Sequence, residues 1–541
     1  MARVLVILTL AVLIALPLWL RPAESSSRGE GRRLIIISPH NEQIRVEFGE
    51  AFSAWHQAKY GEPVNVIWNT PGGTSDIRRM LLAQYRAALR AGDTLGGSAD
   101  LLFGGGSYEF IELRKPIDVE VDGEKRSTTV LQPVAFDESF LHEVYGDVNL
   151  IGDDPLWDAD GHWFGVALSG FGIVFNREAL AELGMPEPTR WADLGDPRML
   201  GHVSLVNPAQ SGSISTAFEA ILLRRGWNEG WAILRRAAAN ARSFSASSAR
   251  GPIDVAQGDA AAGICIDFYG RYEAQAVLDA GGGDRVGYVD PAGETRIDAD
   301  PIAVLRGAPD PELAQRFIEF TLSEAGQALW QFKPRGEGGS STAGVGSEGL
   351  DAPPLGPSRY ELRRMPVRRS MYESPHFERL IDQVNPYELA TAVTNPDRNG
   401  RAFIAPLFSA MAIDSHHELR EAWKAIIAHP AFPSAAERAG DRPAVAADTD
   451  DPVLRQMLEL FDAMPELTGP RGRRIGLGDP ASRALLRDGW LREQWKDEKI
   501  WPVEATPADE LRRRARAFFI EQYARIVALA ARQAQAAARD S

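Results

Sequence analysis

Cysteine is nearly missing: Cys265 is the only one in 541 residues. That excludes an intrachain disulfide and a lipid-modified N-terminal cysteine. If the chain is exported, packing alone must hold its fold. A basic excess is lacking as well. The 59 Lys and Arg face 74 Asp and Glu, a formal charge of −15, which is the wrong balance for a surface that tracks phosphates. Nucleic acid is therefore excluded as a partner class. No HExxH, G-x-S-x-G or P-loop motif occurs. With no nucleophile-and-base arrangement to build on, the chain reads as a non-enzyme, and no cofactor is expected.

What is present begins with Arg3 and an apolar run from Val4 to Leu20, followed by a Ser/Gly-rich stretch. The run lies between the length of a signal-peptide core and that of the shortest membrane-spanning helix. Residues 1–30 therefore read as a signal peptide or an N-terminal membrane anchor. The chain is expected to be exported to the periplasm, with residues 4–20 as the tether in the anchored case. An apolar content of 44% with 25% charged residues is ordinary for a globular protein.

From Leu34 the pattern alternates short apolar runs and amphipathic stretches. Ile44, Phe48, Phe52 and Trp55 form one helical stripe after the run LIIIS. PVNVIWN, a helix from about Ser75 to Arg90 and the run from Asp100 to Phe103 complete two βαβ units. A loop-rich passage, residues 115–160, leads to a second series. There GVALSGFGIVFN, GHVSLVN and the run after Gly258 are strands, with helices at Ser215 to Arg225 and Trp227 to Arg242. PIAVL and a helix from Pro311 to about Phe332 follow, with Asp310 as N-cap. Residues 335–358 are linker-like in composition, and a long helix is expected from Pro507 to about Ala538. Apolar strands that stop abruptly in polar residues gather ligands beyond their carboxyl ends. The run ending in Asp267, Phe268, Tyr269 and Arg271 is the strongest such shelf.

The order of these motifs resembles the periplasmic solute-binding proteins of ABC importers, in particular the two-lobed group that includes the ferric-ion-binding proteins. The resemblance rests on SGFGIVFNREAL, SLVNPAQSGSISTAFEAIL and GDAAAGICIDFYGRYEAQA. It implies an α/β, type II fold of two lobes, each a mostly parallel sheet with flanking helices, plus a mostly helical C-terminal extension. The expected division is 31–155 for the first part of lobe 1, 156–287 for lobe 2, 288–334 for the return to lobe 1, 335–358 for a linker-like loop and 359–541 for the extension. It also implies closure of the lobes around a small polar or ionic solute, ferric ion or an anion-bearing compound among them, and delivery to an ABC permease of the inner membrane. The alternative keeps the fold and makes the protein a membrane-tethered sensor or assembly component. In ferric-ion-binding relatives a tandem tyrosine pair ligates the metal, and Phe268 with Tyr269 occupies those places here. Phenylalanine offers no oxygen to a hard ferric ion. His40 and Glu42 lie where that group supplies a histidine and a carboxylate.

The expected ligand-binding residues are His40, Thr74, Ser107, Ser211, Gly212, Ser213, Ser248, Asp267 and Tyr269. The turn Ser211 to Ser213 precedes a helix, whose dipole favours an anion, whereas its bland reading is simple helix capping. Thr74 and Ser107 follow glycines that let backbone approach a ligand, and Ser248 falls where relatives place a further anion contact. Asp267 with Tyr269 and Arg271 suits a cationic or hydroxyl-bearing group, so both features together fit a zwitterion or an anion-bridged cation. His40 is expected to be exposed to the cleft. Asp154, Asp158, Asp160 and Gly161 only imitate a calcium loop, and His416 with His417 lacks the spacing of a zinc pair. The pairs Arg363-Arg364 and Arg368-Arg369 read as solvated surface charge.

Overall fold

The computed structural model describes residues 31–335, 355–393, 400–434, 446–468, 474–478 and 507–540. The expected signal peptide or anchor, and most of the linker-like segment 335–358, lie outside the described residues. No helix among the described residues is long and apolar enough to cross a membrane.

The chain lays down strand β1 (Arg32–Ile37), helix α1 (Glu42–Tyr60), β2 (Val64–Asn69), α2 (Thr74–Ala91), β3 (Leu101–Phe103) and α3 (Ser107–Arg114). Local chemistry fixes the ends of α1. The Asn41 side chain accepts from the Ile44 amide, and Gly61, at φ 73°, takes the left-handed conformation that ends the helix. Ile44, Phe48 and Phe52 point into the core as their spacing requires. The passage read as loop-rich contains a β-hairpin, Ile117–Val121 with Glu124–Thr128, and a helix, Glu138–Tyr145. Strand β4 (Leu131–Gln132) follows that hairpin.

GVALSGFGIVFN is not one strand. It is β5 (Phe164–Ser169) and β6 (Phe171–Asn176), which belong to different sheets and are joined by Gly170 alone. All twelve of their residues are buried, so continuous apolarity hides the break between them. Beyond Gly170 come β7 (Val203–Val206), α4 (Gly212–Arg225), α5 (Trp227–Ala239), β8 (Ala241–Ser245), β9 (Ala262–Ile266), α6 (Asp267–Asp279) and β10 (Val286–Val289). Residues 290–297 lead back to β11 (Asp298–Leu305), followed by α7 (Pro311–Leu322), α8 (Glu324–Gln331) and the short β12 (Met365–Pro366). The single helix expected from Pro311 is broken at Ser323, whose hydroxyl accepts from the Gly326 amide and caps α8.

Two lobes result. The first has the sheet order β12-β5-β11-β3-β1-β2, with β4 beside β11, and the second has β8-β7-β9-β6-β10. Both are mixed rather than mostly parallel. β1 pairs parallel with β2 and β3, and β7 with β8 and β9, but the strands next to the crossings, β5, β6 and β11, pair antiparallel. β6 and β11 enter their sheets from the neighbouring lobe, and β5 leads out of lobe 1 into the first crossing. The first crossing is at Gly170, and β5 belongs to lobe 1, so lobe 2 starts later than residue 156.

The region after 358 is not an appended unit. Met365 and Val367 join the lobe 1 core through β12. Helices α9 (Arg401–Phe408), α10 (His416–Ile427), α11 (Pro452–Asp462) and α12 (Pro507–Asp540) pack on lobe 2. Arg236 of α5 holds them there by a bidentate pair with Asp462, at 2.7 and 2.9 Å.

Candidate functional site

A cavity of about 70 Å³ lies between the lobes. Its lobe 1 wall is made by Pro39, His40, Thr74, Gly105, Gly106, Ser169, Asp298, Ala299, Asp300 and Arg364, and its lobe 2 wall by Phe171, Ser213, Thr216, Ser248, Ile266, Phe268 and Tyr269. The lobes touch at its rim. The Gly212 amide donates to Thr74 Oγ1 at 3.1 Å, Arg79 donates to the Ala209 carbonyl at 3.2 Å, and Gln43 to the Tyr272 hydroxyl at 3.1 Å.

Four helices start at this wall because strand ends turn directly into them. Thr74 is the first residue of α2, Gly106 precedes α3, Ser213 is the second residue of α4, and Phe268 and Tyr269 lie in the first turn of α6. Neither α2 nor α3 has a side-chain cap. The turn before α4 does: the Ser211 hydroxyl accepts from the Ile214 amide and lies 3.0 Å from Ser213 Oγ. The helix begins at Gly212, earlier than the expected Ser215, because Ser211 is its cap.

Of the nine expected residues, His40, Thr74, Ser213, Ser248 and Tyr269 line the cavity, and Ser107, Ser211, Gly212 and Asp267 do not. Ser107 is buried with its hydroxyl donating to Asp298 Oδ1 at 2.6 Å. Asp267 sits behind the Gly170 crossing. Its amide donates to the Gly170 carbonyl at 3.0 Å, and its Oδ1 accepts from the Phe268 amide at 2.8 Å. Burial pushes its carboxyl up to about 7. Arg271 is also off the cavity wall, paired with Asp290 at 2.7 Å. The cation-or-hydroxyl shelf of Asp267, Tyr269 and Arg271 therefore does not assemble.

His40 is buried rather than exposed. Its ring packs edge-on against Phe103 with centroids 4.6 Å apart, and Gly104, at φ 99°, leaves it room, since a Cβ there would meet the imidazole at 2.5 Å. Neither ring nitrogen has a hydrogen-bond partner, and Nε2 lies 3.6 Å from Asp300 Oδ2. Burial first, then the Arg364 charge, holds the imidazole well below its ordinary value, so it is neutral.

The sequence reading missed Asp298, Asp300, Thr216 and Arg364. Asp298 and Asp300 open β11, the strand that runs on into PIAVL, and burial pushes the Asp298 carboxyl up to about 6. Asp300 Oδ1 accepts from the Gly105 amide at 2.8 Å, and its Oδ2 pairs with Arg364. Arg364 is 5% exposed and stacks over Phe268, 4.2 Å from the ring centroid. Burial lowers its pKa to about 10. The reading of two solvated arginine pairs is overturned: Arg363 pairs with Asp382 at 2.5 Å, Arg368 pairs with Glu143, and Arg363, Arg364 and Arg368 are all buried. A buried guanidinium needs partners far away in the chain, and local charge runs do not reveal them. The signal available was the apolar company of these pairs, Leu362, Met365 and Val367.

Among the described residues, one group of acids and histidines is close enough to hold a metal ion, Asp158, Asp160 and His162. It lies off the cavity. Arg114 pairs with both carboxylates and His162 Nδ1 lies 2.9 Å from Asp158, an internally neutralised turn.

Residues 128–333 match the family model described as bacterial extracellular solute-binding protein. The chain is 30% identical over 170 residues to the phosphoglycerate transport regulatory protein PgtC of Salmonella typhimurium, covering 30% of this chain and 39% of that one. It is also 30% identical over 165 residues to an uncharacterized protein of Haemophilus influenzae, covering 30% and 45%. The chain thus spans less than half the length of either relative. Similar solved structures include the periplasmic binding protein AfuA from Actinobacillus pleuropneumoniae with fructose-6-phosphate bound (20% identity, 56% and 82% covered, TM-score 0.44). Iron-bound HitA from Pseudomonas aeruginosa is another (17% identity, 72% and 99% covered, TM-score 0.44). The matched segment, residues 128–333, carries both strand crossings and all of the lobe 2 sheet.

Proposed function

We propose that the chain is an exported, non-enzymatic solute-binding protein that works in the periplasm. It captures a small polar or ionic solute between its lobes and delivers it to an ABC permease of the inner membrane. The observation that carries this reading is the interlobe cavity itself, walled by both lobes and bearing buried polar atoms without partners, both His40 ring nitrogens and Ser169 Oγ. Such atoms cost about 1–3 kcal/mol each when left unsatisfied, and a polar solute offsets that cost. His40, Thr74, Ser213, Ser248 and Tyr269 touch the solute in this reading. Ser107, Ser211, Gly212 and Asp267 shape the wall from behind. Ferric ion is disfavoured as the solute, because Phe268 stands on the wall beside Tyr269 and only one phenolate is on offer.

The test is thermal unfolding of the full chain against an oxyanion, a polyol, a polyamine, a sugar and ferric citrate, repeated with Tyr269→Ala. A bound solute at 100 times its dissociation constant adds about 2.7 kcal/mol. One class is expected to raise Tm in the native chain and much less in the variant. No shift with any class overturns the reading.

A further inference from the structure

We infer that the solute is a small hydroxylated oxyanion, an organic phosphate or a hydroxy-carboxylate, and that Arg364 is the residue that selects it. The inference rests on the proposed capture of a solute in the interlobe cavity.

Among the described residues, Arg364 is the single Lys or Arg on the cavity wall. Its side chain is 6% exposed, and its Nε is buried with no hydrogen-bond partner. The stack over Phe268 and a second ring, Trp330, 5.7 Å away, hold the guanidinium plane without using its in-plane donors. A planar fork held this way and short of one acceptor matches a carboxylate or phosphate, which takes two parallel N–H bonds.

The rest of the wall agrees. The starts of α2, α3, α4 and α6 lie on it, each a positive dipole end. Hydroxyls from both lobes, Ser169, Ser213 and Tyr269, supply further donors. Carboxylates are also present and set the second half of the specificity. Asp300 pairs with Arg364, and its other oxygen is taken by the Gly105 amide. Asp298 is bound by the Ser107 hydroxyl and amide, at 2.6 and 3.3 Å. These acids repel a bare anion and accept from a solute hydroxyl, so the anion must carry one.

Arg364 also lies beyond residue 333, where the family match ends. It reaches the cavity because β12 docks on β5 with Met365 opposite Leu168. This makes it a selecting residue supplied from outside the matched segment.

The experiment is calorimetric titration of the full chain and its Arg364→Gln and Arg364→Lys variants with 3-phosphoglycerate, glycerate, inorganic phosphate, glycerol and putrescine. Circular dichroism checks that each variant folds. The native chain is expected to bind 3-phosphoglycerate or glycerate more tightly than phosphate or glycerol. Arg364→Gln is expected to weaken that binding about 10- to 100-fold, the range for a charged hydrogen-bonding partner, with Arg364→Lys in between. The two oxyanions distinguish phosphate from carboxylate recognition. If the native chain prefers glycerol or putrescine, or if folded Arg364→Gln binds the oxyanion as well as the native chain, the oxyanion inference falls and solute capture stands. If the native chain binds none of these probes and none of the wider panel, solute capture falls with it.

Discussion

The two faces of the cleft are built from unlike chemistry. The lobe 1 face is ionic, with Asp298, Asp300, Arg364 and a neutral His40, and it rests on an aromatic bed of Phe48, Phe103 and Trp330. The lobe 2 face is uncharged, with Ser213, Thr216, Ser248, Phe268 and Tyr269 over helix starts. Charged groups at a low-dielectric wall need rigid support, since a small displacement leaves a charge unpaired at a cost of several kcal/mol. Hydroxyls rotate to suit a partner and tolerate movement. Under the proposed function, the difference suits lobe 1 to fix a solute's charge and lobe 2 to close over it.

The strongest way to break that contrast is to remove the bed. Trp330 is fully buried, donates from Nε1 to the Val166 carbonyl at 2.9 Å and lies under Arg364. Trp330→Ala is expected to cost about 3–5 kcal/mol. A drop in the urea midpoint, together with faster hydrogen exchange in β1 and β3 than in β6 and β9, is the expected signature. Equal loosening of both lobes would show that the aromatic bed does not belong to lobe 1 alone.

The acid on the lobe 1 face and the one behind the Gly170 crossing both titrate high. Burial raises Asp298 to about 6 and Asp267, behind the Gly170 crossing, to about 7, against an ordinary 3.8. The folded chain thus binds these protons more tightly than the unfolded chain. Their contribution to stability is complete below about pH 4 and is lost as pH rises toward 7. Asp267→Asn removes the larger of the two shifts. Urea unfolding at pH 5 and pH 8 is expected to show a smaller loss across that interval for the variant, which is then the more stable chain at pH 8. An unchanged slope would place the charge elsewhere.

Much of this arrangement was legible from the sequence, and the parts that were not share a cause. Apolar strands ending in polar turns gave most of the strands of both sheets, the start of the helix at Thr74 to within one residue, and the place of Tyr269. They failed at Gly170, because two buried strands on either side of one glycine look like a single run. They failed again at Arg364 and Asp300, whose meaning comes from 64 positions of separation closed by β12 docking on β5. Asp267 misled for the opposite reason. It has the right neighbours in sequence, but it starts α6 and faces the crossing, away from the cavity.

The smallest expected effect lies at the seam between the two faces. Gly212 of lobe 2 donates its amide to Thr74 Oγ1 of lobe 1, and a Cβ on Gly212 would meet that oxygen at 2.3 Å and Glu109 Oε1 at 2.7 Å. Gly73, on the opposite side, is as tight, because a Cβ there would come 2.7 Å from the Gln210 carbonyl oxygen. The seam therefore tolerates no added bulk, but one hydrogen bond contributes little to it. Thr74→Val keeps the shape and deletes the acceptor, a change of about 0.5–1.5 kcal/mol. The Gly212 amide is expected to exchange with solvent up to about tenfold faster, while solute affinity changes by less than that factor. A much larger loss of affinity would mean that Oγ1, besides holding the seam, is the group through which Thr74 contacts the solute.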